Sequence, residues 1–196
     1  MIASADGRAV VDGRSVPLGH PVDRALLREL RTQADVILVG AQTLGAERYA
    51  TLLDPEQRER RIAAGLSPHQ VVATISRALD VPEVPIMSEP DVPFVVYTEA
   101  EGDGPGEVRR LESVTAAAVI GDLGDAGILC EGGPRLLREV VADGQLDDLL
   151  LTVSPLLAGG DAPTIVTGEP FAEPFAMSLA AVNRADDHVF LHYKGR

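Results

Sequence analysis

Apolar residues recur at helical spacing between Pro21 and Ala34, where Val22, Leu26, Leu27, Leu30 and Ala34 share one stripe and Arg24, Arg28 and Glu29 face outward. Pro21 suits a first turn, so the segment predicts an amphipathic helix. The run Asp35-Val36-Ile37-Leu38-Val39-Gly40 follows directly, almost wholly apolar and ending in glycine, as a strand covered on both faces would. The polar, arginine-rich stretch Glu56 to Ala64 predicts an exposed helix, and Val71 to Ile75 and Phe94 to Tyr97 predict further strands. Pro82, Pro85, Pro90 and Pro93 keep the segment between those strands irregular, and Glu101 to Gly106 is a surface turn.

Ala116 to Ile120 and Ile128 to Cys130 are expected to be two more strands, joined by Gly121 to Gly127, a connector with room for barely one helical turn. Gly133-Pro134 then opens a helix with Leu136, Leu137, Val140 and Val141 on one stripe and Gly144 as its terminal glycine. Leu149 to Val153 reads as a buried strand, and Ser178 to Asn183 with His188 to Lys194 as a terminal hairpin. Helices alternating with buried strands predict an α/β fold.

With 196 residues, 45% hydrophobic and 24% charged, the chain can bury a sizeable core but is short for two ordinary domains, so residues 1–196 are expected to form one. No apolar run reaches membrane-spanning length, and Met1 leads into Ile2-Ala3-Ser4-Ala5-Asp6 without a basic region and apolar core. A soluble, cytoplasmic protein is expected. The lone Cys130 excludes an internal disulfide and a multi-thiolate zinc site, and the four histidines offer no metal-ligand spacing. The net charge is −13, with Lys194 the only lysine, which opposes binding to nucleic acid or an anionic membrane. An anionic small ligand remains compatible, because a few arginines and helix N-termini can reverse the potential inside a cleft. The sequence contains no GxxxxGK[ST], GxGxxG or GxSxG, so P-loop, standard Rossmann and hydrolase readings lack support.

Glu131-Gly132-Gly133-Pro134 lies between a strand and a helix start, where glycines permit close approach of a phosphate to free amides; a tight turn with a solvated Glu131 fits these four residues as well. The wider pattern adds context. Ser4-Ala5-Asp6-Gly7-Arg8, Leu30-Arg31-x-x-Ala34-Asp35, Val39-Gly40-Ala41-x-Thr43, Cys130-Glu131-Gly132-Gly133-Pro134 and Ser154-Pro155 follow one another over nearly the whole chain. In that order they resemble the reductase domain of riboflavin biosynthesis, the C-terminal half of the bifunctional deaminase/reductase, in the dihydrofolate-reductase-like superfamily.

The resemblance implies a mostly parallel central sheet flanked by helices with a C-terminal antiparallel hairpin, and reduction by NADPH of the ribosyl C1′ of a phosphoribosylamino-pyrimidine to a ribitylamino product. By position it places Ala3, Gly40 and Thr43 near the nicotinamide cofactor, Ser76 at its ribose phosphate end, and Gly132, Gly133, Pro134 and Arg135 around the pyrophosphate. Arg77, beside Ser76, can meet a 2′-phosphate by charge. Arg31 would hold the substrate phosphate with Ser15 and Arg48, Glu131 would contact the pyrimidine or ribose, and Asp6 would line the cleft. Each has a plainer alternative: Thr43 an ordinary helix residue, Arg31 a solvated helix charge, Asp6 a polar turn, and Cys130 simply a buried strand residue.

Hydride transfer to an open-chain imine asks little of a dedicated acid or base, but Asp6 or Glu131 could assist ring opening or stabilise an iminium cation. The chain departs from the family in starting within its first strand and in the short connector before Cys130. It has no H-x-E with P-C-x-x-C of a zinc deaminase, so a reductase alone is expected. The alternatives are a reductase of another pterin-like substrate such as dihydrofolate, and a noncatalytic nucleotide-binding protein. A homodimer is expected from the family and from the apolar C-terminal strands.

Overall fold

The computed structural model describes all 196 residues. Its strands fall into a five-stranded sheet and a four-stranded sheet. The chain divides into two units: Ala25–Gly133, which holds the first sheet, and Met1–Arg24 with Pro134–Arg196, which holds the second.

In the Ala25–Gly133 unit, β2 (Val36–Gly40), β3 (Val71–Ile75), β4 (Phe94–Thr98), β5 (Glu107–Arg110) and β6 (Ile128–Gly132) are parallel throughout. Val36 to Val39 are all buried, which accounts for their lack of polar alternation. α1 (Pro21–Gln33) runs into β2, but Val22 in its first turn is 45% exposed and lies outside the expected buried stripe. α2 (Ala41–Glu47) leaves β2 at once and ends on Arg48, whose φ of 51° is left-handed.

α3 (Pro55–Ala63) begins with a capping box: Asp54 accepts from the Gln57 amide at 2.8 Å, and the Gln57 side chain accepts from the Asp54 amide at 3.0 Å. The expectation of a wholly exposed helix is corrected here, because Gln57 and Arg61 turn inward. Arg61 is 1% exposed and donates to the carbonyls of Thr32, Ala34 and Ser67 at 2.6–2.9 Å. With Gln57 on the Arg28 carbonyl and Gln70 on that of Arg31, it satisfies the end of α1, where the helix dipole favours a cation.

Ala116 to Ile120 is not a strand. It belongs to α4 (Ala116–Leu123), whose N-cap Thr115 accepts from the Ala118 amide at 3.1 Å. Three successive alanines favour a helix, and Ala116 and Val119, one turn apart, are the residues it buries. The connector before β6 therefore contains a helix of the usual kind, with the apolar run supplying it. β5 was not expected. It is a short, charged edge strand paired only with β4, and it starts after Gly106, where a Cβ would collide with the Phe94 carbonyl.

In the other unit, β1 (Ile2–Ser4) pairs in parallel with β7 (Asp148–Ser154), and β8 (Met177–Ala185) and β9 (His188–Gly195) continue the sheet as an antiparallel hairpin. α5 (Pro134–Ala142) buries Leu136, Leu137, Val140 and Val141, the stripe read from the sequence, and Gly144 follows at φ 67°. Leu137, Val141 and Leu149 form this unit's small core with Phe171, Phe175 and Met177 packed against it. No helix is long and apolar enough to cross a membrane.

Candidate active site

From β2 the chain proceeds outward through β3, β4 and β5, then returns to β6 on the other side of β2. The reversal makes the carboxyl ends of β2 and β6 a topological switch point, where open parallel sheets bind ligands. Gly40 ends β2, Ser76 follows β3, and Glu131, Gly132 and Gly133 leave β6. A Cβ at Gly133 would collide with Thr43 Oγ1 in α2, and Gly132 has φ 90°, so both requirements select glycine.

Register explains how Glu131 is aimed. Leu38 pairs with Cys130 and Val39 with Gly132, so Glu131 is the extra residue of a bulge, which redirects its side chain. The carboxylate is 5% exposed and meets Arg31 through a two-pronged pair, Nε to Oε1 at 2.7 Å and Nη2 to Oε2 at 2.6 Å. Tyr49 donates its hydroxyl to Oε2 at 2.5 Å, and the Arg31 guanidinium lies 5.6 Å from the Tyr49 ring centroid. Burial, reinforced by the charge of Glu131, pushes the Tyr49 hydroxyl well above its ordinary range, so it remains a donor. For Arg31, burial opposes the charged form, but the hydrogen bonds and charge of Glu131 outweigh it and the net shift is upward.

This geometry gives Arg31 a partner within the chain. Its Nε and Nη2 hold Glu131, so it is not a solvated helix charge, while Nη1 is left without a partner in the protein. Arg48 is exposed at the end of α2 and forms no ion pair. Thr43 sits against Gly133, while Ser76 is buried and donates to the Asp80 carbonyl at 2.8 Å. Arg77 is exposed, and its 3.7 Å pairing with Glu99 is of the long, solvated kind that contributes little. The Cys130 thiol, pushed up to about 11 chiefly by burial, stays protonated.

Ala3, Asp6, Ser15, Pro134 and Arg135 belong to the other unit. Ala3 is buried in β1 opposite Val153, Ser15 precedes the short turn Val16–Leu18, Pro134 opens α5, and Arg135 is exposed. Asp6 does not present a free carboxylate. It accepts from the Ser4 hydroxyl at 2.5 Å and from the amides of Ala158 and Gly159 at 3.0 and 2.7 Å, and these donors hold it well below the usual carboxylate range. Held ionised in this way, Asp6 clasps the loop after β7, and its charge suits the stabilisation of a cation better than the gift of a proton. Arg8 extends the clasp by donating to the Ala162 carbonyl at 2.8 Å.

Sequence reasoning missed Tyr49. It lies 82 positions from Glu131, and the only local hint is an aromatic hydroxyl just ahead of the apolar pair Leu52-Leu53.

The sequence profile described as the RibD C-terminal domain matches residues 1–191. A relative from Archaeoglobus fulgidus, named 2,5-diamino-6-ribosylamino-4(3H)-pyrimidinone 5′-phosphate reductase, is 25% identical over 187 residues, covering 86% of this chain and 84% of the relative. A pyrimidine reductase-like protein of Corynebacterium diphtheriae has the same fold, with TM-score 0.86, 24% identity and coverage of 100% of this chain and 89% of that one. Dihydrofolate reductase from Enterococcus faecalis, solved with NADP(H), is similar in fold at TM-score 0.53 and 13% identity, over 99% of this chain and 92% of that one. The ordered motifs, the α/β fold and the match over residues 1–191 agree, and the chain belongs to the RibD C-terminal domain family.

Proposed function

We propose that the chain is a cytoplasmic reductase that uses NADPH to reduce the ribosyl C1′ of a phosphoribosylamino-pyrimidine to its ribitylamino product, a step of riboflavin biosynthesis. The observation that carries this reading is the buried Glu131, aimed by its bulge and held by Arg31 and Tyr49, next to the side-chain-free Gly132–Gly133 turn at the switch point. Family membership and the name of the Archaeoglobus relative support it.

The residues fit a dinucleotide. Gly132 and Gly133 have no side chains to obstruct a pyrophosphate, Gly40 and Thr43 adjoin them, and Ser76 with Arg77 ends the neighbouring strand. The bound nicotinamide cofactor supplies the hydride. Glu131 orients the pyrimidine or its sugar by accepting a hydrogen bond. Its negative charge, balanced by Arg31, also favours an electron-poor C1′. Arg48, exposed at the end of α2, takes the substrate phosphate together with the Nη1 of Arg31 that Glu131 leaves free.

Calorimetric titration with NADPH and NADH tests the cofactor half. NADPH should bind more tightly, and Arg77→Ala should weaken NADPH by about tenfold while leaving NADH unchanged. Equal affinity for both would remove the role of Arg77, and binding of neither would remove the enzyme reading.

One observation favours a second reading, a pterin-like substrate without phosphate such as dihydrofolate: Arg31 turns Nε and Nη2 to a carboxylate of the same chain.

A homodimer goes with the leading reading. β8 is an edge strand that leaves Leu179 and Val182 about half exposed, an edge open to a second copy. Sedimentation at micromolar concentration should give twice the monomer mass; a monomer there would contradict the pairing.

A further inference from the structure

We infer that Tyr49 is a positioning residue for Glu131: with Arg31 it saturates Oε2 and fixes the carboxylate plane, leaving Oε1 with one acceptor direction for the substrate. This rests on the reductase reading above. The Tyr49 ring is held without its hydroxyl. Its amide donates to the Leu44 carbonyl at 3.3 Å, its carbonyl accepts from the Ile86 amide at 3.0 Å, and the ring sits in the core with Leu52, Leu53, Val84 and Ile86. A phenylalanine would fill the same space, so packing does not account for the polar group. A buried hydroxyl needs a partner, and Glu131 Oε2 is the one it has.

Counting acceptors shows what the hydroxyl adds. Oε2 accepts from Arg31 Nη2 and from Tyr49, while Oε1 accepts only from Arg31 Nε. With Arg31 alone the carboxylate could rock about the pair. The third donor, approaching from α2's end, leaves a single orientation. Tyr49 therefore acts through Glu131 and does not touch substrate.

The test is steady-state kinetics of the wild type, Tyr49→Phe, Glu131→Gln and the double variant with NADPH and the phosphoribosylamino-pyrimidine. Tyr49→Phe should lower kcat about tenfold and leave the KM for NADPH within about twofold. In the Glu131→Gln background the same substitution should change kcat less than about twofold, because the group it orients is no longer a carboxylate. A hydroxyl with a merely structural role would cost the same factor in both backgrounds, which would overturn the proposal. Wild-type turnover with an unchanged kcat in Tyr49→Phe would overturn the positioning role alone. Absence of wild-type turnover would overturn the reductase reading and this role with it.

Discussion

Arg31→Ala should lose about 3–5 kcal/mol of folding stability, because it leaves a carboxylate that is 5% exposed without its cation. The size follows from an asymmetry: a buried ion pair adds little net stability, whereas one buried partner left alone is costly. Arg31 supplies two of the three hydrogen bonds to Glu131, and the Tyr49 hydroxyl cannot replace a charge. Urea unfolding measures the loss. The triple variant Arg31→Met, Glu131→Leu and Tyr49→Phe should recover most of the stability, since neither a charge nor an unpartnered hydroxyl remains, while turnover stays absent. A loss below about 1 kcal/mol in Arg31→Ala would mean that Glu131 is solvated, and the site as described would be wrong.

Arg61→Met should cost about 3 kcal/mol, again by urea unfolding. The methionine fills most of the volume but donates nothing, so the carbonyls of Thr32 and Ala34 lose their partner in a buried setting, and the more exposed Ser67 carbonyl loses its own. The cation also complements the dipole at the end of α1, and the carboxylate that acts on its charge, Asp35, is exposed, so its removal strands no buried counter-charge. Arg61→Lys should recover only part of the loss, because one ammonium cannot reach carbonyls on both sides of the helix end. Retention of full stability in Arg61→Met would show that water satisfies these carbonyls.

Much of the fold was legible because burial leaves a plain trace in sequence. β2 and β3 lie on both-sides-buried runs, and α5 carries its stripe of Leu136, Leu137, Val140 and Val141 between Pro134 and Gly144. α4 was misread because Ala-Ala-Ala-Val-Ile is apolar without a period, and the decisive signal was Thr115, a good N-cap just ahead of it. β5 was invisible because an edge strand of Glu-Val-Arg-Arg buries too little to show alternation.

The strand ends that line the candidate site were legible, and the pairing within it was not. Gly40 and the Gly132-Gly133 turn close runs that read as strands, while the cofactor roles given to them and to Thr43 came from the resemblance. That Arg31 would spend its prongs on a residue 100 positions away depends on the crossover that sets β6 beside β2 and on the bulge that turns Glu131. The partners of Asp6 are backbone amides of Ala158 and Gly159, which any residue could supply, so no sequence feature marks them.

The most direct test of the central claim follows NADPH oxidation by the purified chain with the phosphoribosylamino-pyrimidine and with dihydrofolate side by side. The account expects oxidation with the pyrimidine, formation of the ribitylamino product, and a much smaller rate with dihydrofolate. Turnover of dihydrofolate without the pyrimidine, or of neither, would contradict it.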